Sequence, residues 1–125
     1  MAILNLTQHN ATADQLAAGI IDLPAEFKQE LAEIITFPAL YTKHDLELRA
    51  RRVYSLILDL PCDIPVDGVM IGGMPSFMPV LEKELVECGV RVGYACTERQ
   101  SVDKEVDGKI IKTAIFVHVG MYWAN

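Results

Sequence analysis

No apolar run in this 125-residue sequence approaches the roughly 18 residues that a membrane-crossing helix needs, which argues against a helical span. The opening Met1-Ala2-Ile3-Leu4-Asn5 lacks the basic stretch and long apolar stretch of a signal peptide. Cysteines are few: Cys62, Cys88 and Cys96 form no CxxC pair. With His9, His44 and His118 scattered, no metal-ligand spacing arises, so no metal and no cofactor are expected. An odd cysteine count without a signal peptide reads as reduced thiols in a cytoplasmic protein. Cys88 and Cys96 sit in apolar stretches and are expected to be small core residues. No Ser-His-Asp order and no paired-carboxylate signature stands out, and Gly72-Gly73 is followed by no lysine, so there is no P-loop. Linkers, repeats and low-complexity tracts are missing too, which leaves residues 1–125 as one domain.

Basic residues are also scarce, 11 against 17 acidic, for a net charge of −6. That argues against a broad face for long nucleic acids. The charge is uneven: residues 1–90 hold 6 basic and 13 acidic side chains, net −7, and residues 91–125 hold 5 and 4, net +1. An anionic ligand would therefore meet the C-terminal third, unless the bias reflects only a solvated hairpin.

What is present is an ordinary globular balance, 51% hydrophobic and 22% charged. Ile3-Leu4-Asn5-Leu6-Thr7 reads as a strand. Thr12 followed by Gln15 has capping-box spacing, and a helix is expected from Ala13 through Ile20. Pro24 opens a second helix carrying Phe27, Leu31, Ile34 and Ile35, and Ile34-Ile35-Thr36-Phe37 suggests a short strand broken by Pro38. Asp45–Leu58 is an amphipathic helix, with Arg49, Arg51 and Arg52 on its polar side. Val66–Ile71 resembles a buried parallel strand. Ser76 is placed to cap the next helix, and Gly89 to end it. Val90–Cys96 is a strand, and Asp107-Gly108 between Ser101–Val106 and Lys109–Val119 signals a hairpin. Strands alternating with helices imply an α/β fold, a mainly parallel sheet extended by a C-terminal β-hairpin.

Ligands of such sheets bind beyond the carboxyl ends of the strands. Three segments are expected there as loops: Thr7-Gln8-His9-Asn10, Gly72-Gly73-Met74-Pro75-Ser76, and Thr97-Glu98-Arg99-Gln100-Ser101. Gly72-Gly73 either makes a tight turn or lets backbone amides seat a phosphate. Arg99 either grips an anion beside Thr97 and Ser101, or pairs with Glu98 or Asp103 at the surface. His9 is either a proton carrier near neutral pH or a plain loop histidine. His118 is expected to pack or make a structural hydrogen bond.

Asn5-Leu6-Thr7-Gln8-His9, Gly72-Gly73, Tyr94-Ala95-Cys96-Thr97-Glu98-Arg99-Gln100-Ser101, Asp107-Gly108 and Phe116-Val117-His118-Val119 together resemble small single-domain CARF proteins. These are CRISPR-associated Rossmann-fold proteins of the stand-alone ring-nuclease type. The resemblance implies a Rossmann-like three-layer sandwich and a homodimer with a cyclic oligoadenylate across its two-fold axis. It implies metal-independent cleavage, in which a ribose 2′-OH attacks the adjacent phosphodiester. Thr7 and Gln8 would then contact the ring, with Gly72 and Gly73 seating a phosphate. Thr97 and Arg99 would orient and stabilise that phosphate, and His9 would carry a proton. Ser76 and Ser101 would add ligand-binding hydroxyls. The Thr97–Ser101 segment holds no lysine, a departure that bears on cleavage more than on binding. The competing readings are a non-catalytic nucleotide-binding module, a nucleotide- or nucleoside-processing α/β enzyme using Glu98 or Asp103, and an interaction protein with no small ligand.

Overall fold

Local signals set most element boundaries. A computed structural model describes residues 2–125, with β1 (Ile3–Asn5), α1 (Ala13–Ala17), β2 (Ile20–Asp22), α2 (Ala25–Ile34), α3 (Lys43–Leu58), β3 (Gly68–Met70), α4 (Met78–Glu87), β4 (Val92–Val106) and β5 (Lys109–Trp123). The sheet order is β2-β1-β3-β4-β5. The first four strands run parallel and β5 antiparallel, which is the mainly parallel α/β sheet with a C-terminal hairpin expected from the element order. Asp107 and Gly108 take φ of 52° and 75°, the left-handed pair that a type I′ turn requires.

Thr12 and Gln15 form the expected capping box at α1. A second box, Thr42 with Asp45, starts α3 two residues earlier than its apolar periodicity suggests. The Asp45 carboxyl is held below its ordinary value of 3.8, first by the Thr42 amide and then by the Thr42 hydroxyl.

Several expectations are corrected. Ile20 is not helical. Gly19, at φ 93°, ends α1, and Ile20 pairs with Ile3 as the first residue of β2. Residues 34–37 form no strand: α2 runs to Ile34, and Arg49 Nη1 takes the carbonyls of Ile34 (2.6 Å) and Thr36 (2.7 Å) that a ladder would use. Arg49 therefore leaves the solvated face expected for it. Ser76 caps nothing; the N-cap of α4 is Phe77. Thr97–Ser101 is not a loop but the middle of β4. Cys88 and Cys96 are exposed rather than core residues, as is Cys62.

Parallel register puts Leu4, Ile21, Val69 and Val92 on one face of the sheet. That face packs under α2, α3 and α4 through residues such as Leu31, Ile34, Val53, Leu56, Leu81 and Leu85. The other face carries Ile3, Ile20 and Met70, closed by Ala11, Met121 and Trp123; α1 buries no residue. The Trp123 ring lies flat on two strands that offer no side chain. A Cβ on Gly68 would fall 2.8 Å from Trp123 Cζ3, and one on Gly93 2.8 Å from its Cε3. Arg91 stacks on the ring, 3.9 Å from its centroid. Asn125 then pins the chain end, accepting from the Val92 amide (2.8 Å) and donating to the Val90 carbonyl (2.9 Å).

Gly93→Ala should lower stability by about 1–3 kcal/mol, because Trp123 and the Tyr122 carbonyl leave no room. A urea midpoint equal to wild type would refute this packing. For Asp45, a folded pKa below the unfolded one means that its contribution is present above the ordinary carboxylate range and lost as pH falls through the folded value. Protection factors of the first α3 amides should therefore fall on acidification, with a smaller slope in Asp45→Asn.

Candidate functional site

The chain leaves β1 toward β2 on one side and returns to β3 on the other, so β1 and β3 form a switch point. A cleft of about 870 Å³ opens at the carboxyl ends of these strands. One wall is the segment after β1, with Thr7, Gln8, His9 and Asn10. Gly72 and Gly73 contribute after β3, and Tyr94 and Ala95 from β4. The remaining wall is apolar, from the α2–α3 connection (Phe37, Tyr41) and the start of α4 (Phe77, Met78).

The β1 wall is shaped by Asn5, a polar side chain buried inside an apolar strand. Its register partner across the sheet is Asp22 of β2. Asn5 Nδ2 donates to Asp22 Oδ1 (2.8 Å) and to the His9 carbonyl (2.7 Å). Asn5 Oδ1 accepts from the Thr7 amide (2.9 Å) and the Thr7 hydroxyl (2.7 Å). Both donors and both acceptor positions of the amide are thus used. Asp22 Oδ1 also accepts from the Ala11 amide at 3.0 Å. Five residues of loop are folded over one side chain, and the Thr7 hydroxyl is spent on the protein rather than turned to a ligand.

The opposite wall is an aromatic cluster. Phe37 meets Phe77 edge-on at 5.0 Å and Tyr41 at 5.6 Å. The Arg49 guanidinium lies 4.6 Å over the Phe37 ring while holding the two carbonyls at the end of α2. The Tyr41 hydroxyl and the Ser76 hydroxyl are 2.6 Å apart. Ser76 therefore buttresses the wall from outside the cleft lining.

Across the cleft floor, Gly72 comes close to Thr7: a Cβ there would sit 3.4 Å from Thr7 Cγ2. Among the described residues, the amides of Gly72 and Gly73 donate to no acceptor, whereas those of Phe77 and Met78 are both taken by the Met74 carbonyl. The free amides belong to the glycine loop and not to the helix end. The cleft lining holds no lysine, arginine, aspartate or glutamate. Burial, reinforced by Glu82, pushes the Tyr94 phenol up to about 12, so it stays protonated at neutral pH and serves as no base.

Of the residues singled out in the sequence, the structure brings Thr7, Gln8, His9, Gly72 and Gly73 together. Thr97, Arg99 and Ser101 stand outside the lining, on an exposed stretch of β4 that continues outward from Ala95. His118 pairs with Thr97 in the hairpin, and its buried Nδ1 meets no partner among the described residues. Asn5, Asp22 and Arg49 were missed as site-shaping residues. The signal for Asn5 was an amide interrupting Ile3-Leu4 and Leu6; for Asp22 and Arg49 the partners are distant in sequence.

The profile of the uncharacterized protein MJ1673 family matches residues 1–121, the whole cleft included. The chain belongs to that family. No curated protein and no solved structure matches it. For this MJ1673-family chain, then, the cleft geometry is what speaks to function.

Asn5→Leu should remove the bonds that Asn5 makes to Asp22, Thr7 and the His9 carbonyl, costing about 0.5–1.5 kcal/mol per lost bond. The amides of residues 7–11 should lose hydrogen-exchange protection more than those of α3. Equal protection in variant and wild type would refute the role of Asn5.

Proposed function

We propose that the cleft binds a small nucleotide-type ligand, its base against the apolar wall and one phosphate at the Gly72 and Gly73 amides. The observation that carries this reading is the pairing of an aromatic, roughly 870 Å³ cleft with unpartnered glycine amides at the switch point. An apolar wall suits a flat base, and a lining without fixed cations suits a guest of low charge. Within this reading the sheet and its helices are a Rossmann-like three-layer arrangement. A cyclic oligoadenylate, the ligand to which the CARF resemblance points, carries one negative charge per linkage and would have to present a single base and phosphate to the cleft.

Binding is better supported than cleavage. Thr97 and Arg99, the residues to which the resemblance gives the reaction, are not in the lining, and His9 is the one imidazole among the described lining residues. Cleavage of a phosphodiester needs donors aimed at developing charge. Within one chain the glycine amides and His9 are the groups placed for it.

Isothermal titration with adenosine monophosphate and with cyclic tetra- and hexaadenylate tests this, followed by chromatography of the ligand without added metal. Retention of at least one of them unchanged is expected. Gly72→Val should abolish retention by filling the floor against Thr7. Arg99→Ala should leave affinity unchanged; a loss of about 1.5–3 kcal/mol, the scale of a charge-assisted contact, would place the phosphate at the hairpin instead. Failure of all three ligands to bind would overturn the nucleotide reading.

A further inference from the structure

The β4–β5 hairpin outgrows the sheet. β3 pairs with β4 only as far as Gly93, yet β4 runs on to Val106, and β5 returns from Lys109. Residues 97–118 therefore stand clear of the body as a two-stranded ribbon. At about 3.3 Å per residue each strand of it reaches roughly 30–35 Å. Beyond their own pairing, the main contacts of β4 and β5 are with β3, α4 and α1 at the base. A two-stranded ribbon alone in water is marginal, so this one has little within the chain to hold it.

Its two faces differ. Opposed residues share a face, so Val102, Val106, Ile111, Ile115 and Val117 lie on one side, each paired with one of Thr113, Lys109, Lys104, Gln100 and Glu98. The other side carries Glu105, Asp103, Lys112 and Arg99 around Ile110 and Phe116. The first side carries five aliphatic, β-branched residues as a strip bordered by Glu98, Lys104 and Lys109, and Ile111 and Ile115 remain 49% and 42% exposed on it. The ribbon includes no proline, and lysines on β5 fall only toward its tip.

Charge selects the partner. Residues 97–118 hold four acidic and four basic side chains, so the chain's whole −6 belongs to the rest. Two bodies of like charge repel, whereas two arms approach without net repulsion. The packing face presents ten of these residues per chain, which puts the arm contact at the small end of the interface range. We infer that the hairpin is a dimerisation arm, whose aliphatic face packs on the same face of the arm of a second copy. Such a contact is self-complementary about a two-fold axis and closes at two chains. It does not rest on the nucleotide reading of the cleft.

Sedimentation equilibrium across the micromolar range tests it on the full chain. Wild type should weigh twice the 13.9 kDa chain mass. Ile111→Lys with Ile115→Lys, at sites exposed in a single chain, should raise the dimer dissociation constant about ten-fold or more with the circular dichroism retained. Excising Val102–Thr113 and joining Ser101 to Ala114 through Asn-Gly should give a monomer of native helicity. In wild type the arm amides should gain hydrogen-exchange protection with concentration. A wild-type monomer throughout that range overturns the inference, as does a dimer unmoved by both changes, or arm amides whose exchange ignores concentration. Capture of a different protein by a monomeric chain is the same refutation.

Discussion

One buried amide organises the cleft. Asn5 sits where an apolar strand would take a valine or leucine, and its four hydrogen bonds reach β2, the next loop residue and a carbonyl four residues on. A buried polar group is tolerated only when satisfied, and satisfaction here demands a particular loop path. The path of residues 7–11 is thus set by hydrogen-bond saturation rather than by packing. Everything that faces the cleft from β1 inherits its position from that demand.

The facing wall is fixed by a different means. Arg49 joins the end of α2 to the loop behind it and stacks on Phe37, which leans on Phe77 and Tyr41. A cation is thus used to shape an apolar surface and stays out of the cleft lining. Among the described lining residues none is Lys, Arg, Asp or Glu, so on the proposed reading selection would fall to shape, stacking and backbone amides.

Much of the fold could be read from short-range chemistry. Thr12 and Gln15 announce α1, Asp107-Gly108 the hairpin turn, and Gly72-Gly73 a loop after a buried strand; each acts within a few residues of itself. Two of the three rim segments were legible for the same reason. The third was not, because polar residues on both sides of a ribbon look like a loop when no core covers either face: Thr97–Ser101 is strand without burial. β2 was hidden by its three-residue length, and the Asn5–Asp22 contact by the 17 residues between its ends.

The pairing of β4 with β5 slips by one residue between Cys96 and Thr97. Cys96 opposes Gly120 while Thr97 opposes His118, which leaves Val119 as the extra residue. Below the slip, Trp123 and Met121 alternate in step with the glycines that they cover. Above it, the alternation of β5 is reset by half a period. Val119 therefore acts as a phase shifter between two surfaces that share a strand. The aliphatic strip of the hairpin can drift in composition without disturbing which residues of β5 reach the core.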